Sequence, residues 1–418
     1  MTTTRRYGPF QSDDPESDVR AYKPLPRASA AVDHEAIRAE MIDYFSARHR
    51  RLRVEKSTHT PRGQILDWIP IESQLRKGNI ASPPPRSELP SGTLHHEPEL
   101  LAAAELEHAD CERGPAGTVP VLRKKLEALG YTKPLRQYLS KTGGQPVLNF
   151  RGRGVVMPGP GARGTHRLAT SSQNLLCFGG EGLFSCFDPY VDNSDEHSLI
   201  QIGLSNSDLG APQTVEAGWQ KYPDILGDWV PHLFVYYTTN GYARDDDDLG
   251  GYNLDVDGWV QHDDVIYPGT TFTPYSRFAG EQRMISIKYQ LWRDNWWLSC
   301  QGRWVGYYPA RLFMGNQSVF STLGDHADSI GFWGEVASFD APPSRTDMGS
   351  GHFGHEGWTR AAYMHNLRVQ TGRESTMVDY DGSRGLYASD PSLYDIDAHF
   401  HSGTPWGSYQ FVGGPGAG

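Results

Sequence analysis

Apolar residues first recur at helical spacing. Ile37, Met41 and Phe45 stand four apart, with Ile42 and Tyr44 beside them. Asp33, an N-cap residue type, lies just ahead, so a helix is predicted from there. Its basic end, Arg48 to Lys56, is read as a solvated terminus favoured by the macrodipole rather than as a nucleic-acid patch. Residues 57–98, with Pro83-Pro84-Pro85, are predicted to run extended and to wrap. Helices are predicted again over 100–109 and 119–129, the second closing at Gly130. Further on the period changes to two. Ile285, Ile287, Tyr289 and Leu291 alternate with Ser286, Lys288 and Gln290, the pattern of a half-buried strand. Arg293-Asp294-Asn295 reads as a turn, and strands follow at 296–298 and 304–308 around Gly302-Arg303. More strands are predicted at 183–187, 199–204, 214–219, 232–238, 330–339, 361–369 and 408–412. Short strands at close intervals with few helices between them predict an antiparallel β-sandwich, and the absence of an internal repeat argues against a propeller.

A glycine- and proline-rich stretch separates the two patterns. It holds Gly143-Gly144, Gly152, Gly154, Pro158, Gly159, Pro160, Gly161 and Gly164. The chain is therefore divided into a disordered arm (1–30), a smaller, mixed and partly helical region (31–145), a linker (146–164) and a mainly β domain (165–418). At 418 residues, with 11% aromatics, there is enough material for a real core in one large or two moderate domains. No run approaches the roughly 18 apolar residues of a membrane span, so no membrane partner is expected. The opening MTTTRRYGPF has no apolar core of the kind an export signal needs. Cys111, Cys177, Cys186 and Cys300 form no CxxC pair, which excludes a disulfide scaffold or zinc knuckle. A net charge of −11 argues against a general nucleic-acid binder. That charge is uneven. Residues 1–150 hold 22 Lys and Arg against 19 Asp and Glu, leaving 17 against 31 for the rest. A basic segment joined to an acidic one suggests two units that attract each other.

Metal and nucleophile signals are weak, and no cofactor or metal is expected. His352-Phe353-Gly354-His355-Glu356 has the wrong order for a zincin helix. Asp245 to Asp248 lacks the ligand spacing of a calcium loop and reads as a solvated hairpin loop. Gly349-Ser350-Gly351 is not a nucleophile elbow. Carboxylates in strand centres say more, because glutamate disfavours strand interiors. In 213–219, alternation puts Val215, Ala217 and Trp219 on one face and Thr214, Glu216 and Gly218 on the other, where the glycine leaves open space over the sheet. In 331–337, Glu335 shares its face with Gly331, Trp333 and Ala337. Spacing alone leaves a structural, ion-paired role open for both.

Several stretches resemble the neprosin family of glutamic peptidases: QTVEAGWQ (213–220), HLFVYYTTNGY (232–242), GGYNLDVDGWV (250–260), RWVGYYPARLF (303–313), GFWGEVAS (331–338), TDMGSGHF (346–353) and QFVGGPG (410–416). GQILDWIPIESQ (63–74) and GTVPVLRK (117–124) resemble that family's activation region. The resemblance runs over about residues 60–416. It implies a lectin-like, jelly-roll-like sandwich of two antiparallel sheets, with 31–145 as an activation or pro-region. It implies catalytic glutamates at Glu216 and Glu335, and peptide or protein substrates cut after proline. An aromatic-walled pocket for the proline ring would draw on Trp219, Tyr307 and Trp333, which could equally be core residues. Secretion is typical of the family. Its plant members carry cysteines flanking the YNL segment; here those positions are Gly251 and Val256, so that disulfide is absent, while Cys177 and Cys186 could pair across a hairpin or remain free.

Two carboxyls sharing a cleft cannot both ionise easily, so one retains a proton while the other can deprotonate a water. Such a pair predicts metal-free hydrolysis at acidic pH. Self-cleavage would fall at Pro158 and Pro160 of the linker, and the 31–145 region would be an intramolecular partner held partly by charge. Paired carboxylates on a sandwich would also suit a glycoside hydrolase, and a non-catalytic lectin-like sandwich would need neither.

Overall fold

The computed structural model describes residues 33–85, 101–129, 131, 133–142, 165–208, 210–314, 322–338 and 344–417. The predicted arm and the linker, with Pro158 and Pro160, lie outside the described residues. Helix α1 (His34–Arg51) starts where predicted, the Asp33 carboxylate accepting from the Ala36 amide. It buries Ile37, Met41 and Phe45. Phe45 packs edge-on against Tyr138 of a short helix α2 (Leu135–Leu139), the ring centroids 5.7 Å apart.

Strands β1 (Lys56–His59), β2 (Ile65–Pro70), β3 (Leu101–Ala103), β4 (Glu105–Leu106) and β5 (Thr118–Leu122) complete the N-terminal region. Both further helices predicted there are strands instead, the second followed by a turn of 3-10 helix at Leu126–Ala128. Long-range pairing overrides helix propensity at both places. β5 is held by β2 in a three-stranded sheet with β1.

Past residue 164 the chain is a sandwich. Its strands are β6 (Thr165–Cys177), β7 (Gly179–Ser185), β8 (His197–Asn206), β9 (Gln213–Lys221), β10 (His232–Thr238) and β11 (Gly250–Tyr252). Next come β12 (Val260–Gln261), β13 (Phe272–Thr273), β14 (Gln282–Leu291), β15 (Asn295–Cys300) and β16 (Arg303–Pro309). The last are β17 (Ala327–Ser338), β18 (Ala362–Gln370), β19 (Val378–Asp379), β20 (Tyr387–Ala388), β21 (Asp395–His399) and β22 (Tyr409–Gly413). One sheet runs β11-β10-β9-β8-β17-β6-β20, all antiparallel. The other has the path β12-β16-β15-β14-β7-β18-β22-β21, with β19 beside β18. The N-terminal region is stitched into this domain, since β3 pairs in parallel with β14 and β4 pairs with β13.

Alternation sorts the first sheet cleanly. Val215, Ala217, Ile202, Leu204 and Phe332 turn inward and are fully buried. Phe332 meets Phe184 of the second sheet at 6.2 Å between ring centroids. Burying each such side chain contributes about 1.5–3 kcal/mol. The Tyr289 hydroxyl of β14 donates to the backbone carbonyl of Glu216 at 3.0 Å, tying the site strand to the second sheet. The cysteines are unpaired: Cys177 and Cys186 are both buried free thiols. Gly251 and Val256, at the positions of the family's absent disulfide, are neighbours. A Cβ on Gly251 would fall 2.7 Å from a Val256 methyl, so the valine side chain occupies that space.

Candidate active site

Glu216 on β9 and Glu335 on β17 lie on the outer face of the first sheet, with β8 between them. In register, Glu216 stands opposite Gly203 of β8, which stands opposite Gly331; Glu335 stands opposite Leu199. Between these two rows Gln201 faces both Gly218 and Trp333. Gly218 does not open the sheet as its sequence position suggested. A Cβ there would sit 2.0 Å from the Ile200 carbonyl oxygen, so glycine admits a close backbone approach. Gly203 has a different role: the Trp333 indole lies over it, 2.2 Å from where a Cβ would be.

Both carboxylates are almost fully buried, and each is saturated with donors. Glu216 Oε1 accepts from Thr214 Oγ1 at 2.8 Å and the Tyr242 hydroxyl at 2.5 Å. Its Oε2 accepts from Gln201 Nε2 at 2.8 Å and Lys141 Nζ at 2.6 Å. Glu335 Oε2 lies 3.1 Å from the same Lys141 Nζ and accepts from Trp333 Nε1 at 3.3 Å. Its Oε1 accepts from His166 Nδ1 at 2.7 Å, with His197 Nε2 at 3.5 Å. One ammonium thus joins the two glutamates. Lys141 comes from the N-terminal region, just after α2, and only 5% of its side chain is exposed.

The electrostatics follow from this packing. Burial pushes the Glu335 carboxyl up, but the Lys141 charge and the imidazoles of His166 and His197 outweigh it and hold it well below the usual carboxylate range. Burial pulls Lys141 down, yet its two glutamates more than compensate and raise it. Burial lowers His197 to about 4 against the pull of Glu335. Asp245 is not the solvated loop residue expected. It is buried, accepts from the Tyr236 hydroxyl at 2.9 Å and from the Lys141 amide at 3.2 Å, and burial pushes it up to about 7.

Of the aromatic candidates, only Trp333 reaches the carboxylates. Trp219 turns to the opposite face, where its Nε1 donates to the Phe187 carbonyl at 2.9 Å. Tyr307 lies on the second sheet, packed with Trp297, and its hydroxyl accepts from the Ala81 amide at 3.1 Å. Lys141, Gln201, Tyr242, His166 and His197 were not singled out from sequence. In register, His166 and His197 flank Ala337, two residues from Glu335 on its face. Neither histidine lies in a strand predicted from sequence, so only the strand pairing reveals them, and Lys141 carried no signal at all.

Among the described residues, His166, His197 and Glu335 form the one group with the donor atoms of a metal site, all within 4.8 Å. The His166–Glu335 hydrogen bond and the Lys141 ammonium on the same carboxylate account for them as an ion-pair network. With Lys141 in place, an ammonium so close repels a divalent cation.

Several solved structures share a distant likeness. SCP-B, a member of the eqolisin family of peptidases in complex with the tripeptide Ala-Ile-His, is 9% identical with a TM-score of 0.30, over 60% of this chain and 99% of that one. The figures are the same for scytalido-glutamic peptidase with a peptide-based transition-state analogue. A Bacteroides ovatus mixed-linkage glucan GH16 protein is 8% identical with a TM-score of 0.24, over 48% of this chain and 78% of that one. At the level of sequence, residues 194–415 match the model of the Neprosin family. That match spans more than half of the 418 residues, and the chain belongs to the neprosin family of glutamic peptidases.

Proposed function

We propose that this protein is an acid-active endopeptidase that cuts after proline, uses Glu216 and Glu335 to activate water, and is held dormant by residues 31–145. The observation that carries the reading is the Lys141 ammonium bonded to both carboxylates, since a group that hydrogen-bonds both stands where a shared water would stand. Glu335, the glutamate held ionised, is the base. It takes a proton from water as the hydroxide adds to the scissile carbonyl carbon. Glu216, in the acid role, donates a hydrogen bond to the carbonyl oxygen and stabilises the tetrahedral intermediate. The proton on Glu335 then passes to the leaving nitrogen as the C–N bond breaks, restoring the carboxylate. Trp333, beside Glu335, offers an aromatic face for a proline ring.

Dormancy is supported by the direction of the charges. Among the described residues, every ion pair between residues 31–145 and the sandwich has its cation in the N-terminal region. Arg48 and Arg51 reach Asp247 and Asp257, Lys124 reaches Asp255, and Lys141 reaches the glutamates. Burial raises the Asp247 carboxyl, but its arginine partners hold it below the ordinary value. A carboxyl lowered in the docked state strengthens docking at neutral pH and loses that contribution as pH falls through its docked value. Acid would therefore loosen the N-terminal region and free the site together, with self-cleavage at Pro158 and Pro160.

The test is incubation with a proline-rich peptide and with polysaccharides at about pH 3 and about pH 7. Peptide cleavage after proline in acid, abolished by Glu216→Gln and by Glu335→Gln, is expected. Proteolysis surviving either substitution, or release of sugar, overturns the reading. Mass spectrometry of the acidified chain should find ends at Pro158 or Pro160; an intact chain that cleaves added peptide would remove self-cleavage from it.

A further inference from the structure

His166 and His197 belong to the sandwich itself. They sit on β6 and β8, on either side of β17, and with Ala337 they make one row across three strands. Glu335 is two residues away on the same face, and both imidazoles address its Oε1, at 2.7 Å and 3.5 Å. Lys141 addresses the other oxygen, Oε2. The imidazole contacts therefore do not depend on the lysine. The rings are also fixed in place: their side chains are 2% and 1% exposed. His197 packs on Tyr222 at 5.0 Å and on His166 at 6.0 Å between centroids. Among the described residues nothing comparable surrounds Glu216, whose other partners are Gln201, Thr214 and Tyr242.

We propose that His166 and His197 are positioning residues for Glu335, supplying its counter-charge and fixing its orientation once Lys141 withdraws. The inference rests on the peptidase reading above and adds to it the means by which the base stays ionised in acid. A buried carboxylate that lost its only cation would take up a proton and cease to be a base. Here the loss is offset from behind. The groups facing Glu335 are Lys141 from the N-terminal region, His166 from β6, His197 from β8 and the Trp333 indole on its own strand. Glu216 stands across the lysine, with the neutral hydroxyls of Tyr222, Tyr242 and Tyr252 nearby. Lys141 is the cation that would leave, and its charge is one of the influences that keep His197 neutral. Its departure removes that opposition to a charge on His197, at the moment an imidazolium is needed against the carboxylate.

The test is the pH profile of kcat/KM for the acid-activated full chain, in the wild type, His166→Gln, His197→Gln and the double variant. The expected result is an acid limb moved up by about one pH unit in each single variant and further in the double, giving about a tenfold loss at the acid end that closes towards pH 5. kcat should fall while KM holds. A uniform loss at every pH, or an unchanged profile, overturns the proposal. Should the glutamines prevent folding, NMR titration of isotope-labelled histidine in the wild-type chain decides: two imidazoles must be protonated in the active state, and both neutral overturns it. Glu335→Gln run in parallel separates the two levels. If that variant still cleaves, the glutamic reading itself has failed. If it is dead while the histidine variants keep the wild-type acid limb, only the positioning role has.

Discussion

Glu216 and Glu335 share a face of one sheet and a single lysine, yet their surroundings differ in kind. Around Glu216 stand an amide and two hydroxyls, from Gln201, Thr214 and Tyr242. Around Glu335 stand two imidazoles and an indole, from His166, His197 and Trp333. A hydroxyl can turn to accept as well as donate, so the Glu216 setting tolerates a protonated carboxyl. An imidazolium pairs only with the anion. On the proposed mechanism, the same side chain on one scaffold would take opposite proton duties, set by its immediate neighbours on β6, β8, β9 and β17 and in the loop after β10.

Four experiments break or sharpen this contrast. The largest effect should come from the glutamates themselves. On the proposed mechanism Glu335→Gln removes the base and Glu216→Gln the acid, each lowering kcat/KM by about a thousandfold; activity that survives either change breaks the pairing. Next is Lys141→Met, which leaves two buried carboxylates without their common cation. Urea unfolding at neutral pH should show a loss of about 3 kcal/mol. Because Lys141 holds Glu335 low, that difference should shrink as pH falls and Glu335 takes a proton. The full-length variant should also cleave peptide at a higher pH than the wild type. Gly203→Ala puts a methyl into the Trp333 ring and should cost about 2 kcal/mol. It should disturb Glu335, which the indole serves, although Gly203 stands opposite Glu216. Tyr242→Phe, the mildest, removes one donor from Glu216 and should cost about 1.5 kcal/mol in kcat/KM, with the acid limb unmoved.

Much of the sandwich was legible because its strands alternate strictly. Glu216 and Glu335 stood out as carboxylates in strand interiors, and the faces assigned to Trp333 and Val215 are the observed ones. The misreadings have a common cause. Residues 101–106 are rich in alanine, leucine and glutamate, and only their pairing with β14 and β13 makes them strands. The prediction left β6 unassigned. Its middle, Thr170 to Ser172, is polar but buried, and the Ser171 hydroxyl is satisfied by two distant partners, Gln410 and Tyr380. Without β6, His166 had no place on the map. Lys141 was invisible for a stronger reason: a lysine after Ser140 looks solvated until the sheet supplies two anions from residues 75 and 194 positions further on.

The position of Lys141 Nζ also describes a receptor. A primary ammonium is held by two carboxylates and lies 5.7 Å from the Tyr236 ring and 6.0 Å from the Trp333 ring. That is a recognition site for a small alkylamine, with charge on one side and aromatic faces on the other. On the proposed reading, in which Lys141 withdraws, a simple amine joined to a proline-like ring would have both the charge and the shape to take its place. On that reading, the lysine thus outlines an inhibitor of the enzyme it blocks.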